Sequence, residues 1–415
     1  MKLIHLADLH FGKSLHGVNL LESGDQPAWV ERFLALCASQ RPDAVLIAGD
    51  VYDRGAPGAG AVALLSRLIT ALIGQGVQVL IVPGNHDSAQ RLAFGRELLA
   101  REGLHIAPPL AAPGTLLRVT LEDRHGPVDF WLMPYLFPAL AAEALGTELR
   151  DYDAAVRAVL AAQEIDFSRR SVLIAHQNVT AGGVEAERGG SESMVGGVGQ
   201  VEYSAFDGFD YVALGHIHAG YPVGRPECRY AGSPLCYHFH ETRQAVKGPL
   251  LVELGPKGEA PAIRLLPVEP LHRLRAMEGD YPTLRSAVLP ALEAGEYLSV
   301  TLTDRRVTPE LSDELHSLCA LRGNLLMELS SSFREHGGSA GLSAAALREK
   351  GLAELFADFY TQRSDGTPPD AAELALLDKA AELCLHAERT LPPEPAQIDA
   401  FLNEALRAAD HGGAQ

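Results

Sequence analysis

The alternation of short apolar runs with helical stretches constrains the fold of this 415-residue sequence more than any other feature. Residues 2–7, 44–49 and 77–82 are continuous apolar runs typical of buried strands, and residues 29–40 and 61–73 between them have the character of helices. Strand–helix–strand repetition predicts a sheet with parallel strands and right-handed crossovers. The first hundred residues therefore indicate an α/β fold.

Strands dominate the chain beyond Arg118, where the apolar segments are LLRVTL, DFWLMPY, SVLIAH, YVALGH and LLVEL. An α/β half followed by a β-rich half predicts two sheets packed face to face with helices outside, an αββα sandwich over residues 1–270. We also expect a helix that Ser88 caps and that runs to about Ala100. Residues 183–200 are glycine-rich and aperiodic, which predicts a long loop.

The organisation of the chain changes after the sandwich. Residues 271–336 predict a small βαβαβ capping domain, with helices near residues 283–294 and 309–321. Residues 335–341, EHGGSAG, have the composition of a linker. Residues 342–415 predict a region that contains only helices.

An apolar stripe marks the start of this helical region, at spacings of three and four residues. The stripe consists of Leu352, Leu355, Phe356, Phe359 and Tyr360. Residues 341–415 hold thirteen Asp or Glu against six Lys or Arg, a net charge of −7. An acidic helix binds DNA poorly, so we expect the stripe to dock into a groove on a partner protein. The alternative is that these helices fold back on the preceding domain.

The formal net charge of −18 argues against a protein that binds DNA alone, because phosphate neutralisation drives such binding. Carboxylates that bind metal, or a basic partner, would weaken this argument. No uncharged apolar run reaches the roughly 18 residues of a membrane span, and the first residues become polar too soon for a signal peptide. Five cysteines without a CxxC pair predict reduced thiols in a cytoplasmic protein.

Five short polar segments each follow directly after an apolar strand. They are Asp8–Leu9–His10, Gly49–Asp50–Val51–Tyr52–Asp53, Gly84–Asn85–His86–Asp87, His176, and Gly215–His216–Ile217–His218. The carboxyl ends of strands are where an open α/β sheet collects its ligands and catalytic groups. A single such segment is more often a cap or a packing residue than part of a site. All five in order predict a metal centre.

Seven of these side chains are candidate metal ligands: Asp8, His10, Asp50, Asn85, His176, His216 and His218. Seven nitrogen and oxygen donors exceed the need of one ion but suit two divalent ions that share a bridging carboxylate. Imidazole and carboxylate donors without thiolates favour Mn²⁺, Fe²⁺ or Zn²⁺ over Mg²⁺ and Ca²⁺. Two such ions could deprotonate a bridging water and neutralise charge on a phosphoryl oxygen.

The motif series DLH, GDVYDR, GNHD, H and GHIH resembles the calcineurin-like metallophosphoesterase superfamily through about residue 235. Within it, IAGDVYDRGAP, VPGNHDS, ALGHIH and YAGSP resemble the SbcD nucleases, and the later domains extend this resemblance to nearly the whole chain. GDVYDRG is also similar to a motif of protein serine/threonine phosphatases. Those enzymes, however, read GNHE where this chain reads GNHD.

The resemblance implies a role for each candidate residue. It assigns one metal to Asp8, His10, Asp50 and His218, and the other to Asp50, Asn85, His176 and His216. It implies that His86 is a catalytic histidine without a metal contact, which protonates the leaving oxygen or stabilises the phosphoryl group. Asp53 and Asp87 are expected to orient imidazoles or loop backbone, and Arg54 to touch a DNA phosphate.

The activity that the resemblance implies is that of an Mn²⁺-dependent nuclease in double-strand-break processing. It would act as an exonuclease on double-stranded ends and as an endonuclease on single strands and hairpins. The implied partner is an SbcC ATPase in a complex of two SbcD and two SbcC chains. From their apolar character, we expect the helices near residues 61–73 and 89–100 to pair across a dimer. The alternatives are a small-molecule phosphodiesterase or nucleotidase, and a non-catalytic scaffold, which the complete ligand set argues against.

Overall fold

The computed structural model describes two compact units, Met1–Phe333 and part of Arg334–Gln415. The described residues are 1–182, 199–243, 246–333, 352–363, 367–370, 373–374 and 376–377. Most of the loop predicted at 183–200 and all of the linker predicted at 335–341 lie outside them. None of the helices in these described ranges is long and apolar enough to cross a membrane.

The first six-stranded sheet has the parallel core that the sequence predicts. Its strands, in spatial order, are Ala262–Leu265, Leu250–Glu253, Lys2–Leu6, Ala44–Ala48, Gln78–Val82 and Leu104–Ile106. The last four run parallel; Leu250–Glu253 pairs antiparallel with Lys2–Leu6, and Ala262–Leu265 pairs antiparallel with Leu250–Glu253. The carboxyl ends of Lys2–Leu6, Ala44–Ala48 and Gln78–Val82 therefore lie at the same edge of the sheet.

The second six-stranded sheet is also mixed. Its strands, in spatial order, are Pro222–Val223, Arg225–Tyr230, Tyr211–Gly215, Arg170–His176, Gly126–Met133 and Leu117–Asp123. The four central strands run parallel, and both edge strands pair antiparallel. Short two-stranded ladders join Ser14–Leu15 to Val18–Asn19 and Asn178–Thr180 to Gln200–Glu202.

The two sheets pack face to face through apolar side chains such as Leu46, Phe130 and Ile174, all fully buried. Helices cover both outer faces. They are α1 (Asp25–Gln40) and Ala59–Gly74 on the first sheet, and Pro138–Leu145 and Tyr152–Ala161 on the second. The predicted αββα sandwich is thus confirmed.

The predicted continuous helix from Ser88 to about Ala100 was wrong. The chain forms a short helix at Ala89–Leu92, a second at Arg96–Leu99 and a 3-10 turn at Ala100–Glu102. Gly95 separates the first two with a φ of +70°, a left-handed conformation that ends a helix. Ser88 stands at the N-cap position, but its side chain makes no capping bond there.

Beyond residue 270 the chain forms the predicted βαβαβ arrangement. Strands Leu274–Gly279, Tyr297–Leu302 and Leu325–Ser331 make a parallel sheet, which we call the three-stranded module. It has its own apolar core, and its second crossover is the helix Pro309–Ala320. The domain boundaries predicted from the sequence, at 1–270, 271–336 and 342–415, stay predictions.

The first crossover of the module differs from the single helix predicted at 283–294. It consists of three consecutive turns, Tyr281–Thr283, Leu284–Val288 and Leu289–Ala291, of which the middle one is a wider π turn. Pro290 lies in the last turn and has no N–H to donate to the preceding turn. This missing bond accounts for the widening of the helix before the proline.

In the second unit the structure describes one long helix, Leu352–Arg363. Leu355, Phe356 and Tyr360 are half-buried there, whereas the Phe359 side chain is 57% exposed. The aromatic rings of Phe356 and Tyr360 lie 5.7 Å apart, as expected for residues separated by four positions on a helix. The predicted stripe therefore lies on a helix.

Candidate metal centre

The seven candidate ligands come together where the parallel strands of both sheets end. Asp8 and His10 follow Lys2–Leu6, Asp50 follows Ala44–Ala48, Asn85 follows Gln78–Val82, His176 ends Arg170–His176, and His216 and His218 follow Tyr211–Gly215. All but Asn85 are buried. Because both sheets contribute, the site lies at one end of the sandwich, at the crevice beyond the strand ends.

The backbone that carries these ligands is strained. Of the six non-glycine residues with positive φ in the described part of the chain, four are candidate ligands: Asp8, His10, Asp50 and His216. Their φ angles lie between 43° and 103°, in a region that L-residues enter only at a cost of order 1–3 kcal/mol. Such strain is typical of functional sites, where the surrounding structure holds side chains in directions that relaxed backbone would not give them.

Two glycines next to the ligands are required by close packing. A Cβ atom at Gly84 would lie 2.1 Å from Oδ1 of Asp50, and one at Gly49 would lie 2.2 Å from Nδ1 of His176. Gly49 also has a φ of +86°. A side chain at either position would push a ligand out of place, so these glycines allow the ligands to converge.

Asp50 lies between two groups of donors. Its Oδ2 atom is 3.6 Å from Nε2 of His10 and 3.3 Å from Nε2 of His176. On the first side, Nε2 of His10 faces Nε2 of His218 at 3.2 Å. On the second, Oδ1 of Asn85 lies 3.1 Å from Nε2 of His176. These distances place donors on both sides of the Asp50 carboxylate.

The remaining two candidates complete these groups. Oδ1 of Asn85 is 3.2 Å from Nδ1 of His216. The carboxylate of Asp8 accepts a hydrogen bond from the backbone N–H of His216 at 3.0 Å. Ligand atoms of Asp8, His10 and His218 lie within 4.8 Å of one another, and so do those of Asp8, Asp50 and His176.

The protonation of two histidines makes the donor set fit divalent cations. Nδ1 of His176 lies 2.8 Å from the carbonyl oxygen of Ala48, which can only accept, so this nitrogen carries the proton. Nδ1 of His218 likewise donates to the carboxylate of Glu241 at 3.0 Å. Nε2 is therefore the nitrogen of each ring that faces the other candidate ligands and that a divalent cation would bind, in His176 once its proton has been displaced.

The protonation states of the site without metal make cation binding depend on pH. Burial raises the pKa of Asp8 to about 7. Burial by itself would lower the pKa of His176, but the Asp50 carboxylate reverses this and raises it to about 9. The same pairing with His176 holds the pKa of Asp50 well below its ordinary range, although burial opposes it. A metal that binds His176 must therefore displace a proton, so metal affinity falls as the pH falls.

His86 lies beside the ligands, and its ring is exposed. Its ring packs edge-to-face on the ring of His10, with 4.9 Å between centroids. Nδ1 of His86 donates to the backbone carbonyl of Asp53 at 3.0 Å, and its backbone N–H donates to Oδ1 of Asp50 at 2.9 Å. The Oδ1 atom of Asp53 bonds Nζ of Lys13 at 3.1 Å and lies 3.7 Å from Nδ1 of His10, beyond hydrogen-bond distance.

Asp87 and Arg54 lie next to these groups but do not join them. The Asp87 carboxylate accepts hydrogen bonds from the backbone N–H groups of Val51, Tyr52 and Gly84, at 2.9–3.0 Å. It therefore holds the backbone around Asp50. In the part of the chain that the structure describes, it forms no hydrogen bond with an imidazole. The Arg54 side chain is 78% exposed, 3.7 Å from the carboxylate of Asp53.

The sequence did not reveal Glu241, which supports His218 from behind. It is 5% exposed, and besides His218 it pairs with Nζ of Lys247 at 2.8 Å and accepts from Oγ of Ser233 at 3.2 Å. Burial by itself would raise its pKa, but the bonds from His218 and Lys247 lower it to about 2, so Glu241 is a carboxylate. Its signal in the sequence is weak, because it lies 23 residues from His218 in no recognisable motif.

Comparisons with known proteins agree with a metal-dependent phosphoesterase site. Residues 1–220 match the family model for calcineurin-like phosphoesterases. A protein of Staphylococcus saprophyticus, named as the SbcD component of the nuclease SbcCD, is 32% identical over 320 residues, 73% of this chain and 78% of that relative. Its namesake from Staphylococcus epidermidis is 28% identical over 378 residues, 88% of this chain and 94% of the relative. These matches confirm the family predicted from the motifs.

Proposed function

We propose that this chain, which belongs to the calcineurin-like phosphoesterase family and within it to the SbcD nucleases, hydrolyses phosphodiester bonds of DNA. The observation that supports this best is the convergence of six nitrogen and oxygen donors around the carboxylate of Asp50. The names of both relatives favour a nucleic-acid substrate, which the fold by itself does not select. The expected activities are exonuclease action on double-stranded ends and endonuclease action on single strands and hairpins.

We assign the donors to two divalent ions, with Mn²⁺ as the expected metal. The first site comprises Asp8, His10, Asp50 and His218, and the second comprises Asp50, Asn85, His176 and His216. Bound ions would supply a nucleophile from water at neutral pH and neutralise charge that develops on the phosphoryl group. The protein's own contribution is to hold the donors at the strand ends, where strained backbone and adjacent glycines fix their directions.

His86 is the group that we assign to proton transfer. Because Nδ1 donates to the carbonyl of Asp53, Nε2 is the nitrogen that can hold a proton toward the substrate and release it to the leaving oxygen. The exposed ring leaves space for DNA beside it. Arg54, also exposed, is proposed to bind a phosphate, and Asp53 and Asp87 to hold the loops around Asp50.

One assay separates a nuclease from a small-molecule phosphodiesterase. The full chain is incubated with Mn²⁺ and either linear duplex DNA, a hairpin, or bis-p-nitrophenyl phosphate. A nuclease releases nucleotides from the duplex and opens the hairpin, and EDTA abolishes both activities. Hydrolysis of bis-p-nitrophenyl phosphate without any cleavage of DNA, in the presence and absence of an SbcC-type ATPase, would contradict the proposal.

We also propose that two chains pair through the segment around residues 89–100. Phe94 and Leu98 are 85% and 69% exposed there, and such large apolar side chains mark an interaction surface. Phe94→Glu should then convert a dimer into a monomer in analytical ultracentrifugation. Phe167→Glu, at a residue 41% exposed on another part of the chain, serves as the control and should leave the dimer intact.

The second unit is proposed to bind the SbcC-type ATPase through the helix Leu352–Arg363. The exposed Phe359 and the apolar stripe around it suit a groove on a partner protein. Truncation after Gly338 should preserve Mn²⁺-dependent cleavage of simple substrates but abolish co-purification with the ATPase. Phe359→Asp in the full chain should also weaken binding to the ATPase. Undiminished binding by the truncated chain would show that the helix does not dock on this partner.

A further inference from the structure

A buried carboxylate joins the first turn of α1 to the three-stranded module. Asp25 is 3% exposed and is the first residue of α1. It accepts hydrogen bonds from the Tyr297 hydroxyl of the module at 2.9 Å, and from the backbone and Nδ1 of His272, just before the first strand of the module, at 3.2 and 3.0 Å. The rings of His272 and Tyr297 stack on each other, with 4.7 Å between centroids. The module thus presents a preformed set of donors to one carboxylate.

The next residue, Gln26, contacts the loop that carries a metal ligand. It is 1% exposed, and its Nε2 donates to the carbonyl oxygen of His10 at 2.8 Å. Its Oε1 accepts from the backbone N–H of Gly12 at 2.9 Å. His10 and Gly12 have φ angles of 43° and 94°. The Gln26 amide therefore clamps a loop whose backbone would otherwise relax.

We propose that Asp25 and Gln26 are positioning residues that make the conformation of the His10 loop depend on the docking of the three-stranded module. The two side chains are consecutive on one helical turn, so a shift at Asp25 moves Gln26 with it. The helix itself is held on the first sheet by Trp29 and Phe33, which are buried in its core. Its first turn is the part that contacts both the module, through Asp25, and the His10 loop, through Gln26.

The proposal rests on the assignment of His10 to a metal site and not on DNA as the substrate. It predicts an asymmetry between the two sites. His10 belongs to the site that includes His218, whereas Asn85 and His176 of the other site make no contact with Gln26 among the bonds of the described residues. Loss of module docking should therefore weaken one ion and leave the other. By linkage, metal binding should in turn stabilise the docked module.

The decisive variant lies in the module, away from every ligand. Tyr297→Phe removes one donor to Asp25 and leaves the apolar ring in place. Mn²⁺ binding to the full chain is measured by calorimetry, together with hydrogen exchange of the peptide that spans residues 8–13. We expect one of two ions to bind roughly 5–10-fold more weakly, within the usual range of coupling between sites. The Gly12 amide should exchange faster, and the second ion should be unaffected.

Two matched variants make the test specific. Glu296→Gln alters a neighbouring buried carboxylate whose ion pair, in the described part of the chain, is with Arg275 at 2.7 Å, and it should leave both metal affinities unchanged. Gln26→Leu removes the clamp itself, and in that background Tyr297→Phe should have no further effect. Asp25→Asn keeps the shape of the side chain but replaces one acceptor oxygen with an NH2 group that cannot accept from Tyr297 or His272. It should weaken the same ion as Tyr297→Phe does.

The idea is overturned if Tyr297→Phe and Asp25→Asn bind both ions with parental affinity and parental exchange. It is equally overturned if Tyr297→Phe weakens binding as much in the Gln26→Leu background as in the parent, because the two effects would then be independent. A chain that shows the coupling but cleaves no DNA would contradict the proposed function and leave this inference standing.

Discussion

Replacement of Glu241 by glutamine tests whether the group behind a metal ligand sets the affinity of the site. The substitution keeps the shape of the side chain but removes its charge and replaces one acceptor oxygen with a donor. In the structure that carboxylate accepts from Nδ1 of His218 at 3.0 Å and pairs with Lys247 at 2.8 Å. Loss of the charge makes the His218 imidazole a weaker electron donor to a metal, because an amide oxygen is a poorer acceptor for its N–H than a carboxylate is.

The size of the effect follows from what the neighbours retain. Lys247 loses its carboxylate partner but keeps its hydrogen bonds to Oγ of Ser233 at 2.7 Å and to the carbonyl of His218 at 2.9 Å, so its ammonium group stays solvated by neutral acceptors. The loss is therefore close to that of one charged hydrogen bond, about 1.5–3 kcal/mol. Removal of a residue that orients a ligand usually costs about 10–100-fold in metal affinity, or about 1.4–2.8 kcal/mol, which agrees with that figure.

Calorimetric titration of Glu241→Gln with Mn²⁺ measures this directly. One of two ions should bind about 10–100-fold more weakly, and activity should recover at high Mn²⁺ because the catalytic groups are intact. Glu296→Gln, which removes the charge of another buried carboxylate far along the chain, is the matched control. The reasoning is refuted if Glu241→Gln binds both ions with parental affinity, or if its activity stays low at saturating metal.

Three further substitutions give outcomes that differ in kind. Asp50→Ala should abolish activity and reduce bound Mn²⁺ well below two per chain by elemental analysis; full occupancy would rule out the bridging assignment. His86→Ala should keep both metals and DNA binding while turnover falls by about 10²–10⁴; loss of metal would make His86 a ligand instead. Burial lowers the pKa of His5 from 6.5 to about 3, so the unfolded chain takes up this proton first and stability is lost as the pH falls from 6.5 towards 3. In urea unfolding, the loss of stability between pH 7 and pH 5 should be smaller in His5→Gln by about 2 kcal/mol; an equal loss would show that His5 does not titrate on unfolding.

The sequence was sufficient to predict the strands that carry the site. Continuous apolar runs such as residues 44–49 specify buried parallel strands, and polar residues directly after them must lie at a common edge. The candidate ligands could therefore be predicted from local patterns. Asp50 and His176 come together because their strands end at the same end of the sandwich. What links them is topology, which the order of strands and helices largely fixes.

The supporting residues could not be predicted in the same way. Glu241 reaches His218 from a 3-10 turn at Phe239–Arg243, and Asp25 reaches Tyr297 across 272 positions of the chain. Neither residue follows a strand or belongs to a periodic pattern, so nothing local distinguishes it from a surface carboxylate. Their roles depend on which loops pack together, and this is decided by tertiary contacts.

Local breaks in the helices were missed for a related reason. The apolar residues between Ser88 and Ala100 have helical spacing. Gly95, however, adopts a left-handed backbone conformation at little cost in free energy, and the turn that follows it buries little apolar surface that would favour a continuous helix. At Pro290 the helical pattern continues through the proline, and the backbone adapts by widening one turn. Periodicity describes which face is apolar and does not determine whether the hydrogen bonds along it are continuous.

The location of charge explains why a net charge of −18 is a poor guide to the substrate. The residues from 341 onwards account for −7 of it, which leaves −11 for residues 1–340, since −18 − (−7) = −11. Six carboxylates in the described part of the chain are buried: Asp8, Asp25, Asp50, Asp129, Glu241 and Glu296. They accept hydrogen bonds or form ion pairs inside the protein, so their charge does not add to the negative surface that an approaching phosphate meets. The field at the strand ends depends on the local balance, in which two divalent ions would add four positive charges beside the exposed Arg54.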